Sequence, residues 1–162
     1  MNAAVKTCRG PVAAGVHHIG HSTHWIVIGG VKVLTDPWIT EPTDLCLAHS
    51  TPPAPLPIDP DVVLISHSHG DHFDPDALSL IDRRSIVLCP GQKEAWKVRA
   101  LGFLDSFVVD AKGVVDVKGL SIRSVPGKHL VEEFTFHLRS REGAVFFGGD
   151  TELTDEIEDF AR

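Results

Sequence analysis

Residues 61–72, DVVLISHSHGDH, carry the chain from an uninterrupted apolar run straight into four metal-ligand side chains: His67, His69, Asp71 and His72. An apolar run of this length without alternation is what fills a strand buried on both faces. Four polar donors within six residues would be costly to bury unpaired. The loop therefore belongs where a buried strand ends, which is where α/β folds place their ligands.

The surrounding pattern supplies layers for such a strand. HWIVIGGVKVLTDP reads as two β-branched strands about Gly29-Gly30, a hairpin signature. The stretch from Asp36 to Pro60 holds seven prolines and reads as an ordered loop or lid over one end of the fold. Asp74-Pro75 offers an N-cap and first helical position for a short helix through about Ile81. SIVLCP repeats the buried-strand pattern, and residues 93–101 predict a helix ended by Gly102. Strands follow at 107–109, 114–117, 120–125, 134–139 and 144–147, then a glycine turn into a helix at Thr154 or Asp155. The fold class is α/β (α+β), with antiparallel hairpins in place of a regular βαβ alternation. At 162 residues it reads as a single domain, 1–162.

Composition narrows the function classes. The net charge is −7 and no Lys/Arg block occurs, so no phosphate-backbone footprint for nucleic acid is visible. Cys8, Cys46 and Cys89 are odd in number and widely spaced, the pattern of free thiols in a reducing compartment. The N-terminus has no sustained apolar segment, and no run is long enough to span a membrane. The expected location is the cytoplasm, and the expected partner is a small-molecule substrate.

The loop carries the chemistry. His67 and His69 lie two apart and share a side in an extended segment, while Gly70, free to adopt positive φ, lets the chain turn and aim Asp71 and His72 at the same volume. Imidazole and carboxylate suit a divalent transition metal, zinc first, with manganese or iron also open, as one ion or two. A merely solvated, His-rich turn is the plain alternative. The density of donors directly after a buried strand argues against it.

SHSHGDH after an apolar strand resembles the signature of the metallo-β-lactamase superfamily of metal-dependent hydrolases. The upstream IGHSTHWIVIGGVKVLTDPW is similar to the branch of the ascorbate-6-phosphate lactonase and N-acylphosphatidylethanolamine phospholipase D types. VPGKH at 125–129 and FFGGDT at 146–151 extend the resemblance, which runs from about Val16 to the C-terminus. It implies an αββα sandwich. It implies that His67, His69 and His129 hold a first metal, that Asp71 and His72 hold a second, and that Asp150 bridges them. It places Asp36 behind the ligands as their hydrogen-bond support, and Asp71 and His129 in catalytic roles; it brings His21 near the loop, as a supporting or substrate-facing residue or else a satisfied structural histidine.

One departure stands out. The family's last histidine ligand, well past the bridging aspartate, has no counterpart before the chain ends at Arg162. The chain thus resembles a sandwich truncated at its C-terminus. The expected consequences are an exposed apolar face along 134–138 and 144–147, and a homo-oligomer or a longer polypeptide. His21, then His24, are the first candidates for the vacant ligand position. His17, His18, His49 and His137 read as solvent-facing, Cys89, Pro90 and Trp96 as core, and Trp38 as a pocket or packing residue.

The function this implies is a metal-dependent hydrolase using a metal-bound hydroxide on an ester-type bond, a lactone or phosphodiester, with Lys128 or Arg123 available to a phosphate. No G-x-S-x-G nucleophile motif occurs. The alternative is a metal-binding non-catalytic or regulatory module of the same fold. Di-iron redox relatives typically carry glutamate at the second loop histidine, so His69 argues against that chemistry, and the acidic balance weakens a nuclease reading.

Overall fold

A computed structural model describes residues 6–40 and 54–160. After β1 (Thr7–Cys8) the chain winds β2 (Gly15–Gly20), β3 (Thr23–Ile28) and β4 (Val31–Thr35) as an antiparallel meander. Gly29 and Gly30 both sit at left-handed φ, 60° and 74°, as a tight β3–β4 hairpin requires. β5 (Leu56–Pro57) pairs with β1, and β6 (Val62–Leu64) lies parallel to β4. α1 (Pro75–Leu80) then leads to β7 (Ile86–Cys89), and α2 (Gln92–Ala100) to β8 (Ser106–Val108). A second, wholly antiparallel sheet follows in β9 (Val114–Val117), β10 (Leu120–Pro126), β11 (Phe134–Ser140) and β12 (Gly143–Phe147), before α3 (Asp155–Phe160). The first sheet has the order β2-β3-β4-β6-β7-β8, the second β12-β11-β10-β9.

Two cores explain the unbroken apolar run at 62–65. Val63 and Ile65 join Leu34, Val87 and Cys89 against Ala77, Leu78, Ala95 and Val98 of the helices. Val62 and Leu64 face the other way, with Ile26, Val33 and Leu88, against Leu120, Ile122, Phe136 and Leu138 of the second sheet. The six-stranded sheet is therefore the middle of a helix–sheet–sheet stack, apolar on both faces. Asp74 caps α1 by accepting from Asp76 N and Ala77 N, as its place before Pro75 implies, and its other oxygen holds the backbone of Ile39 and Thr40.

The structure corrects several expectations. The apolar side chains of 134–138 are not exposed: Phe134, Phe136, Leu138 and Phe147 are buried between the sheets. The outward face of the second sheet instead carries residues such as Arg123, His137 and Arg139, with Phe146 half-exposed. Trp96 is not core but 64% exposed, because Ala95 and Val98 already take the sheet-facing side of α2 and Trp96 lies about 100° around from Ala95. β1, β2 and β5 carry no strong apolar alternation and escape a pattern-based reading. Cys8 and Cys89 are free thiols, and burial followed by the charge of Glu94 pushes Cys89 up to about 12. Cys46, His49 and the middle of the proline-rich stretch lie outside the described residues. Among the described residues no helix is long and apolar enough to cross a membrane.

Phe136 is fully buried where the sheets meet. Phe136→Ala should lower unfolding free energy by about 3–5 kcal/mol in a denaturant titration. A loss below about 1 kcal/mol would show that the two sheets do not share one core.

Candidate metal centre

The strand directions decide what can meet. β4 and β6 are parallel neighbours, so Asp36, just past β4, and Ser66-His67, just past β6, emerge at one edge. β10 and β12 both run antiparallel to β11, so His129 and Asp150, beyond their ends, also share an edge. The Phe134 amide donates to the Ser66 carbonyl at 3.0 Å and stitches the two edges together. Residues from four separate segments thus meet at one end of the sheet stack.

His67, His69 and His129 present ring nitrogens within 4.8 Å of one another. His67 Nε2 lies 2.9 Å from His69 Nδ1, and His129 Nε2 lies 3.3 Å from that same Nδ1. Two rings facing a single nitrogen cannot both be satisfied by the one proton it carries or accepts. Nitrogens bonded to a common tetrahedral ion at about 2.1 Å stand roughly 3.4 Å apart, so this spacing fits a divalent ion. Burial, then the neighbouring His67 and His129, lower the His69 pKa and favour the neutral imidazole that a metal requires.

Asp71, His72 and His21 form a second group within the same 4.8 Å limit, and Asp150 joins His67 and His72 in a third. Asp150 therefore stands between the two poles. His72 is fully buried, and its Nε2 has no hydrogen-bond partner despite Asp150 Oδ1 at 3.3 Å. A buried nitrogen that approaches a carboxylate without hydrogen bonding to it is the arrangement expected of two ligands around a shared cation. The donor set fits. The turn that brings Asp71 and His72 round does not use positive φ at Gly70. It closes instead as His72 N and Phe73 N donate to the His69 carbonyl, at 3.0 and 2.8 Å.

Behind this front lies a buried polar layer. Asp36 accepts from Ser66 N (2.7 Å), Ser66 Oγ (2.6 Å) and His72 Nδ1 (2.7 Å). Burial pulls the His72 pKa down, but the hydrogen bond and charge of Asp36, with Asp150 and Asp71, outweigh it and leave the pKa raised. Asp36 and His21 both sit at left-handed φ, 35° and 48°. Neither is glycine, and strained backbone of this kind persists only where surroundings over-determine it.

Sequence reasoning missed Glu133 and Ser66. Glu133 is buried, accepts from Asp150 N at 2.7 Å, and lies 3.4 Å from His67 Nδ1. Its Oε2 has no partner. A Cβ on Gly149 would meet Glu133 Oε1 at 2.5 Å and Ser66 Cβ at 3.0 Å, and Gly149 is at φ 60°, so glycine is required there. The available signal was the acidic pair Glu132-Glu133 directly before an apolar strand, which reads as a solvated turn until its burial is known. Ser66 Oγ lies 2.9 Å from His67 Nδ1 and donates to Asp36, linking the two sides of the layer.

Other candidates fall elsewhere. His24 lies 3.0 Å from the Ser22 carbonyl through Nδ1, packs against His18 and Phe147, and joins none of the three donor groups. His17 and His18 are exposed, while His137 is half-buried. Trp38 is buried with its ring edge against His21, so it packs behind the site. Lys128 is paired with Glu152, which raises its pKa, and Arg123 lies exposed on β10 in register with His137.

Residues 15–161 match the family described as a β-lactamase superfamily domain. The chain belongs to the metallo-β-lactamase superfamily. A UPF0173 metal-dependent hydrolase of Methanopyrus kandleri is 28% identical over 152 residues, which cover 86% of this chain and 63% of that protein. The chain thus spans a little under two thirds of the length of that curated relative. A possible metal-dependent hydrolase from Veillonella parvula superposes with a TM-score of 0.73 at 18% identity, covering 90% of this chain and 66% of its own. CmlA, a diiron β-hydroxylase from Streptomyces venezuelae, superposes with a TM-score of 0.70 at 21% identity, covering 94% and 32%. The superfamily fold therefore hosts more than one metal chemistry, and the ligands of each chain have to be read individually.

Glu133→Gln keeps the shape of the side chain and removes its charge. Metal affinity, measured by competition with a chelating dye, should fall by roughly 10- to 100-fold, the range for groups that support a metal site from behind. Unchanged affinity would leave Glu133 as a loop anchor only.

Proposed function

We propose that the chain is a metal-dependent hydrolase acting on an ester-type bond, a lactone or phosphodiester. The observation that carries this reading is the convergence of His67, His69 and His129 from two sheets onto one point, with nitrogens 2.9 and 3.3 Å apart. These three would hold one divalent ion, and Asp71 and His72 a second, with Asp150 between them. Zinc is the first candidate for an imidazole-rich set, with manganese and iron compatible. An ion so held supplies Lewis acidity and brings the pKa of a water it binds close to neutrality.

The chain's own groups do the rest. Asp36 and Ser66 fix the ring orientations of His72 and His67 from behind, so the opposite nitrogens face the other candidate donors. Asp71, with Oδ2 3.0 Å from His21 Nε2, would orient an attacking water and hold its proton, the role that the resemblance implies for it. His129 faces the same space from the second sheet. The ester preference rests on the upstream resemblance to lactonase and phosphodiesterase types. With Lys128 already paired to Glu152, a phosphate would find no unengaged lysine at that position.

The test is metal content and turnover of the purified chain. The wild type should carry bound divalent metal and hydrolyse simple lactones or bis(aryl) phosphodiesters. His67→Ala should lose metal and activity together. Retained stoichiometry in that variant would remove His67 from the site. Bound metal without turnover across both substrate classes would favour a non-catalytic metal-binding module.

Asp36→Asn should weaken metal binding by roughly 10- to 100-fold in the same titration, because the amide cannot accept from both His72 and the Ser66 backbone through equivalent oxygens. An affinity within twofold of wild type would reduce Asp36 to a turn residue before Pro37.

A further inference from the structure

His21 lies in the two-residue turn between β2 and β3, far in sequence from the histidine-rich loop. Its backbone is held at φ 48° by ties on either side: its carbonyl contacts His18 Nε2 at 2.8 Å, and the next carbonyl, Ser22, accepts from Thr35 Oγ1 at 2.9 Å. This unfavourable conformation delivers the ring into the site. Nε2 arrives 3.0 Å from Asp71 Oδ2, and the ring lies edge-on to His72 at 5.0 Å.

A supporting residue would hydrogen-bond a ligand. His21 does not. Its Nε2 is buried and, although 3.0 Å from the Asp71 carboxylate, is out of line for a hydrogen bond and has no other partner. The fully buried His72 Nε2 is unpartnered in the same way. His21, Asp71 and His72 therefore bring donor atoms within 4.8 Å of one another, two of them buried nitrogens without a hydrogen bond. We propose that His21 is a direct ligand of the second divalent ion, completing with Asp71 and His72 a set that Asp150 closes from the first pole. The inference rests on the two-ion reading of the site and changes the role of His21 from support to coordination.

The distinction is quantitative. Loss of an outer-shell partner weakens metal binding by roughly 10- to 100-fold, and loss of a ligand should exceed that range. The variant of choice is His21→Asn, because asparagine tolerates left-handed backbone but does not reach the site. Zn2+ titrated into the metal-free 162-residue chain should fill two sites. In His21→Asn the first ion should bind as in wild type, which also reports an intact fold, and the second should weaken by more than roughly 100-fold.

A second measurement needs no variant. In wild type with 15N-labelled histidine, the His21 Nε2 resonance should move to a metal-bound position with the second equivalent of Zn2+ and not the first. Two ions bound by His21→Asn with affinities within roughly 100-fold of wild type would overturn the proposal, as would an unmoved His21 resonance or a wild type that fills only one site. A wild type that binds no Zn2+ at all would overturn the underlying metal reading, a separate and recognisable failure.

Discussion

Asp36 is a carboxylate with no solvent exposure, placed one residue past β4 and accepting three hydrogen bonds from the neighbouring segment. A buried charge stripped of its partner costs about 3–5 kcal/mol, so the geometry around Asp36 is strongly determined. Its Oδ1 fixes the Ser66 amide where β6 ends, and its Oδ2 fixes both the Ser66 hydroxyl and the His72 ring. Thr23 Oγ1 donates to the Asp36 carbonyl, and the Asp36 amide donates to Leu64 O, so the backbone is held as firmly as the side chain. The left-handed φ of Asp36 is sustained by these contacts.

The same layer joins the two sheets. Ser66 reaches Asp36 on one side and His67 on the other, and its carbonyl accepts from the first residue of β11. Glu133, immediately before that residue, holds the Asp150 amide and stands beside His67. Candidate donors contributed by different sheets are therefore coupled through short, buried hydrogen bonds and not only through the loops in which they lie. Such coupling keeps a donor constellation assembled, since donors held only by mobile loops would pay an ordering cost each time a ligand is bound. It also explains Gly149, whose missing side chain leaves room for Glu133 and Ser66 to approach.

Much of this was legible locally. The apolar run at 62–65 announced a strand covered on both sides, Gly29-Gly30 announced the hairpin, and Asp74-Pro75 announced the start of α1, because each depends on residues within a few positions. Trp96 was misplaced because a single large apolar residue on a helix of mixed polarity carries no phase by itself. Gly70 suggested a left-handed turn, but the loop closes through backbone bonds to His69 that any residue could make. Glu133 was invisible for a different reason. Its burial follows from the approach of β10, β12 and the His67 loop, none of which is near it in sequence except β10.

The sequence by itself determined the chemical inventory: a loop dense in imidazole and carboxylate at the end of a buried strand, with His129 and Asp150 placed after later strands. Spacing and side-chain type are local properties, and they suffice to say that such donors are costly unless they share a cation. Only the tertiary structure decided which donors meet. It turned His24 toward Ser22 and His18 and brought His21 to Asp71, although the two histidines lie three residues apart in one hairpin. The physical reason is that a turn held at positive φ re-aims a single side chain through hydrogen bonds from the neighbouring strands, His18 on β2 and Thr35 on β4, and those bonds exist only once the sheet has formed.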